Sequence, residues 1–300
     1  MFAVIVFGLS AVAFLYSDFE LHRLVDAPSI LFISALAPIV FIAAWTGAAH
    51  WSESTLALGL PMGLLGGTIG VTGMSTYIND YNAAYPATSI MLLTVLYGGI
   101  LSAMGYFGAN VVEKQNNRLP KTSLIMALAP FSFMVFLPVW DMGTSPFFSL
   151  EAIGVFFAVF ATQVIFSHRF SFQHVTEGAL FAAIVCLILG LSLWYSTGEL
   201  DRDAVNLAIN GLNYGLVIYI VVYVISLSQA NKESDKIETG RANWHWMEVT
   251  AFMVFMLFAP ETLRETLLRE QNAVAQVKET ELLEQRFTIL EQRILNIENQ

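Results

Sequence analysis

Charge is what this chain has least of. Asp, Glu, Lys and Arg make up only 13% of its 300 residues, while 56% are hydrophobic. A soluble domain normally carries about a quarter charged residues. The shortage excludes an ordinary water-soluble fold, and the long apolar runs point to a polytopic membrane protein. Cations are scarcer still, with 14 Lys and Arg against 24 Asp and Glu, a net charge of −10. That balance excludes nucleic acid as a partner. The single cysteine, Cys186, excludes an internal disulfide; within an apolar run it is expected to be a small packing residue. Metal-ligand spacings, nucleotide loops and nucleophile constellations are also missing. No enzymatic activity and no cofactor is therefore expected. "GLLGGTIG" at 63–70 lacks the GK[ST] ending of a phosphate loop and lies in mid-span.

What is there is a series of apolar segments, at 1–16, 28–48, 56–78, 86–112, 122–140, 148–167, 177–196, 204–228 and 244–260. A span needs about 20 residues, so the first and last are marginal. Continuous apolarity predicts helices; barrel strands would alternate. The expected fold is an all-α membrane bundle of eight or nine transmembrane helices with a C-terminal, coiled-coil-like helical tail. Met1 leads directly into an apolar stretch without a basic n-region or a small-residue cleavage site. A first span is expected there, not a removed signal peptide.

With a cytoplasmic N-terminus, the cytoplasmic connections hold Lys114, Arg118, Lys121, Arg169, Lys232, Lys236 and Arg241. The outer connections hold only Arg23 and Arg202. This is the positive-inside bias, and Trp45, Trp51, Trp140, Trp194, Trp244 and Trp246 near span ends fit an aromatic belt. His22, His50, His168 and His174 fall in connections, where solvated side chains are expected, and His245 is expected to be an interfacial anchor.

The tail, 261–300, is rich in Glu, Gln, Arg and Leu. Phe287, Leu290, Ile294 and Ile297 step by heptad-like intervals. The spacing predicts a helix that coils with copies of itself or lies on the membrane surface. A weak internal repeat is also present. "SILFISALAPIVFI" (29–42) is similar to "SLIMALAPFSFMVF" (123–136), and "LLTVLYGGI" (92–100) aligns with "AINGLNYGLVI" (208–218), matching Tyr97 to Tyr214 and Gly98 to Gly215. Copies of about four spans would run in the same direction, as in parallel-repeat transporters.

Two segments carry small and hydroxylated residues at helical spacing. Gly59, Gly63, Gly66, Gly70 and Gly73 share one face of the third span, with Thr68, Thr72 and Ser75 on an offset stripe. Thr94, Gly98, Ser102 and Gly105 share a face of the fourth. Small-xxx-small faces let backbones approach closely. Tight packing with back-bonded hydroxyls is one reading. A narrow hydrated path, or a groove for a charged partner helix, is the other. No Asp, Glu, Lys or Arg lies in the middle of the first eight spans. Ion pathways usually contain such a residue, so a conducting assembly would need its carboxylate from another chain.

"MGLLGGTIGV" followed by "YPATSIMLLTVLYGGILSAMGYF" resembles the third and fourth transmembrane helices of the MotA/TolQ/ExbB proton-channel family, and is most similar to its sodium-driven stator branch. The run Pro86, Ala87, Leu92, Leu93, Thr94, Leu96, Tyr97, Gly98, Ile100, Leu101, Ser102 and Met104 carries the match. "LVDAPSILFI" (24–33) is similar to the start of the family's second helix. The resemblance spans about residues 1–114, strongest over 61–108. It implies a homo-oligomeric ring, typically a pentamer, in the bacterial inner membrane. The ring would surround a dimer of single-span partners of the MotB/TolR/ExbD kind, whose aspartate carries H⁺ or Na⁺. By match, Thr94 falls on a threonine lining the ion path and Pro86 on the proline opening the fourth helix. Thr68 stands near the third-helix threonine, whose own place is taken by Gly67, and Ser102 and Thr72 extend the hydroxyl stripes. The helix-packing residues are Gly59, Gly63, Gly66, Gly70, Gly73, Gly98, Gly105 and Pro86.

Two departures follow. The cytoplasmic domain expected between the second and third helices is replaced by "GAAHWSEST" (47–55). After the 1–114 channel unit, residues 115–243 add four spans. There Gly211 stands in place of Thr94 and the glycine stripe is gone, so an outer helical layer is expected.

Overall fold

The computed structural model describes residues 26–76, 81–109, 117–166, 171–197 and 202–229, together with Lys278, Thr280, Leu283, Arg286 and Phe287. The chain divides into two compact units, Met1–Met253 and Val254–Gln300. In the second unit the five described residues are helical and exposed. The rest of the tail, the 1–16 segment and the 244–260 segment lie outside the described residues.

The first unit is all-helical among its described residues: α1 (Ala27–Ser34), α2 (Leu36–Thr46), α3 (Trp51–Thr76), α4 (Tyr81–Ala109), α5 (Lys121–Met142), a short 3₁₀ turn (Ser145–Phe147), α6 (Leu150–Phe166), α7 (Phe172–Thr197) and α8 (Arg202–Gln229). With α1 and α2 taken together, seven helical stretches are long and apolar enough to cross a membrane.

The boundaries follow local chemistry. Asp26 caps α1, its Oδ2 accepting from the Ser29 amide at 2.7 Å. An acceptor there satisfies an amide the helix cannot. The expected single span 28–48 is broken at Ala35. Pro38 has no amide to give the Ser34 carbonyl, and its ring crowds that carbonyl. The chain responds with a tighter Ala35 N–H to Phe32 carbonyl bond of 3.2 Å. Gly47 ends α2 at φ 69°, a left-handed cap that glycine adopts without strain.

α3 starts earlier than its apolar segment. Most of the expected connection 47–55 is helix, leaving Gly47–His50 as the link. The cause is α4: methyl groups at Gly105 and Gly108 would meet the Ser52 carbonyl oxygen at 2.7 Å and its Cβ at 2.8 Å. Small residues on α4 thus let Ser52 bury completely and add a helical turn.

α3 pairs with α4 and α7 pairs with α8; these are the two most extensive helix contacts, and α8 also packs on α3. α1 rests on α4 and α3, α2 on α3 and α5, and α6 on α7 and α8. The core therefore runs through α3 and α8, whose spans are 78% and 67% buried, against 11% for both α5 and α6. Within the chain α5 and α6 are peripheral, and α8 is buried nearly as far as α3.

In place of the glycine stripe of α3, the second hairpin has a seam of mostly alanine with cysteine and glycine. Ala179, Ala183, Cys186 and Gly190 repeat on α7, and Ala204, Ala208, Gly211 and Gly215 repeat on α8. A methyl at Gly215 would lie 2.6 Å from the Ala183 Cβ and 2.7 Å from the Ala179 carbonyl oxygen. One at Gly211 would collide with Cys186.

The two hairpins correspond in length, 26 and 29 residues for α3 and α4 against 26 and 28 for α7 and α8. They correspond in detail too. Tyr97 accepts from the Asp26 amide, just before α1, at 3.4 Å. Tyr214 donates to the Phe147 carbonyl, shortly before α6, at 2.9 Å. The counterpart of α1–α2 by position is thus α6. The likeness between 29–42 and 123–136 pairs α1–α2 with α5 instead. Its shared Ala-Leu-Ala-Pro marks a proline-bearing apolar helix, not an equivalent place.

Candidate functional site: the polar contacts of α3

Several polar contacts inside the bundle converge on α3. Its own Pro61 creates the first. A proline inside a helix leaves the carbonyl four residues back without its donor, here Ala57. Tyr219 of α8 donates its hydroxyl to that carbonyl at 3.2 Å. On the neighbouring rung, Ser102 Oγ of α4 accepts from the Leu60 amide at 2.7 Å and donates to the Leu56 carbonyl at 3.2 Å. Side chains from two other helices thereby serve the α3 backbone around Pro61, which is how membrane helices tolerate proline.

Around this opening the glycine faces meet. A methyl at Gly98 would lie 2.5 Å from the Gly59 carbonyl oxygen and 2.6 Å from the Gly63 Cα. Gly66 faces Thr94 and Phe32, and Gly70 faces Met91 at ordinary contact distance. The α3 face bearing Gly59, Gly63 and Gly66 is therefore filled by α4 of the same chain. Gly73 and Pro86 lie in α3 and α4, and their surroundings fall outside the described side chains.

One to two turns further along α3 lies a second polar group. Thr94, 2% exposed, donates to Ser29 Oγ of α1 at 3.0 Å. Thr72 donates to the Thr68 carbonyl at 3.0 Å. Thr68 Oγ is 2.9 Å from the Leu65 carbonyl, 3.1 Å from that of Leu64, and within hydrogen-bonding distance of Asn213 Oδ1 on α8. Its one proton serves one of these at a time. Asn210, a turn away, donates Nδ2 to the Pro146 carbonyl at 3.1 Å. Tyr214 binds the adjacent Phe147 carbonyl, and its ring stands edge-on to buried Phe156.

The four ion-path residues are thus all inward, but they do not form one row. Ser102 serves the Pro61 opening, Thr94 faces α1, Thr68 reaches Asn213 of α8, and Thr72 bonds back to the Thr68 carbonyl. Asn210, Asn213 and Tyr219 escaped the sequence reading, which weighed hydroxyls, glycines and charged residues inside spans, and Tyr214 entered it only as the repeat counterpart of Tyr97. Amides buried in an apolar helix carry a similar penalty, and the Asn-x-x-Asn-Tyr spacing within "INGLNYG" was the available signal. His50 contacts Ser52 Oγ through Nδ1 at 2.7 Å, and His174 contacts Ser171, both at helix starts. Cys186 is buried against Gly211. Among the described residues no three His, Cys, Asp or Glu side chains come together.

One face of α4 is left open. Leu92, Leu96, Ile100 and Met104 are exposed, and a methyl added at Gly99 would meet nothing within 4 Å. Leu92, Leu96, Gly99 and Ala103 follow steps of four, three and four, opposite the face that packs on α3. Compared with known proteins, the chain matches no family model, no curated protein and no solved structure.

Proposed function

We propose that this chain is the ring-forming subunit of an ion-driven channel or motor in the bacterial inner membrane, with a cytoplasmic N-terminus and eight or nine spans. The ring surrounds single-span partner helices, and the partner contributes the aspartate that carries H⁺ or Na⁺. The observation that carries this reading is the open stripe Leu92, Leu96, Gly99 and Ala103, on the helix that bears the densest likeness to the MotA/TolQ/ExbB family. In lipid, helices associate through close packing at small residues, and Gly99, with nothing within 4 Å of an added methyl and set between Leu96 and Ala103, suits a docked helix. The glycine face of α3 is already filled, so the wall offered to a partner is the far side of α4. Thr94, Thr68, Ser102 and Thr72 support the ion path from behind it.

One observation favours a second reading, a secondary transporter of two parallel four-helix repeats. The two hairpins share lengths and small-residue seams, and polar side chains collect where α3 meets α8. Transporter sites lie at such repeat interfaces. Cation flux into liposomes holding this chain alone separates the two. The ring reading predicts no Na⁺ or H⁺ flux above protein-free liposomes, because the titrating carboxylate belongs to another chain. Coupled flux by the chain alone would overturn it in favour of the transporter.

A further inference from the structure

We propose that an ordered water molecule is bound within the bundle where α3, α8 and the Ser145–Phe147 turn meet, held between the amides of Asn210 and Asn213. Both side chains are more than nine-tenths buried, at 1% and 7% exposure. Each amide uses one end only. Asn210 gives Nδ2 to the Pro146 carbonyl, and Asn213 turns Oδ1 to Thr68. The other ends, Asn210 Oδ1 and Asn213 Nδ2, have no hydrogen-bond partner among the described residues. Buried polar atoms in folded proteins are satisfied by protein or by ordered water.

The chemistry of the two atoms selects the guest. One needs a donor and the other an acceptor. A cation satisfies only the oxygen, and an anion only the N–H. Water does both. With the Asn213 amide reversed, Nδ2 would donate to the Thr68 hydroxyl, whose proton has its own helix carbonyls to serve, and both remaining atoms would be oxygens; the orientation shown, with one acceptor and one donor open, is the one that selects water over a cation. The spacing suits a single molecule, because residues three apart on a helix have Cβ atoms ~5–6 Å from each other.

Access and anchoring agree. Thr144 and Ser145 at the start of the turn are exposed and Pro146 is half-buried, so the turn reaches from the surface to the Asn210 amide. Tyr214 and Asn210 pin two consecutive carbonyls of the turn. Non-helical backbone at membrane depth is tolerated where it meets protein or water. The site rests on neither functional reading above.

The test is solid-state NMR of the full-length chain in lipid bilayers, with ¹⁵N-asparagine labelling and magnetisation started on water. The Asn213 Nδ2 signal, identified by its loss in Asn213→Asp, should receive magnetisation from water in the wild type. Exchanging Na⁺ for K⁺ should leave that transfer unchanged. Asn210→Leu should cut it by about half, since the water loses one of its two side-chain anchors. No transfer to Asn213 Nδ2 in the wild type overturns the proposal, whether or not the variants fold. A transfer that changes with Na⁺ overturns it in favour of a cation site.

Discussion

Pro61 costs α3 one hydrogen bond, and Tyr219 restores it from another helix. The two residues should therefore be energetically coupled. Tyr219→Phe should destabilise the protein by about 0.6 kcal/mol, a typical interhelical bond in lipid. In a Pro61→Leu background, where residue 61 again donates to the Ala57 carbonyl, the cost should largely vanish. Denaturant unfolding of the four members of the cycle measures this, and strictly additive effects would remove the coupling. Thr94→Val tests a different residue. It deletes the hydroxyl that donates to Ser29 while keeping shape. Ion flux through the native assembly should fall about fivefold, the equivalent of ~1 kcal/mol, with assembly intact. Unchanged flux takes Thr94 off the path. Thr94 stood out in the sequence within a stripe of small and hydroxylated residues, and Pro61 is visible there as a proline inside an apolar run. Their partners did not, because Tyr219, Ser29 and Asn213 are brought there by packing between segments far apart in the chain.

At the scale of helices, hydropathy located all seven described spans to within a few residues, because lipid leaves a backbone little choice but helix. It failed where polar residues pack under glycine, as at the start of α3, and it did not show the local break at Ala35 inside the one apolar stretch Ala27–Thr46. The α7–α8 seam was hidden for another reason: alanine and cysteine count as ordinary apolar residues, whereas glycine is conspicuous. Two neighbouring glycines now make opposite predictions. Gly98→Ala should destabilise the chain by about 1–3 kcal/mol, since the added methyl meets backbone on α3. Gly99→Ala meets open space and should stabilise α4 slightly, by up to ~1 kcal/mol of helix propensity. Thermal unfolding in detergent distinguishes them; equal shifts would contradict the α3–α4 contact. Gly211→Ala should behave like Gly98→Ala, because its methyl meets Cys186.

At the scale of the molecule, two like hairpins joined through α3 and α8 form the core, with α5 and α6 outside it. The tail offers a separate check. Deleting 261–300 should leave the number of subunits per assembly unchanged by native mass spectrometry if membrane helices hold it together. Dissociation into single chains would favour a scaffold assembled by its tail. The central claim is that several copies enclose a helix of another protein. Electron cryomicroscopy of the complex purified from native membranes tests it most directly. The account predicts a pentameric ring with foreign helices seated on Leu92, Leu96, Gly99 and Ala103. A solitary chain, or a ring whose α4 stripe faces only lipid, would contradict it.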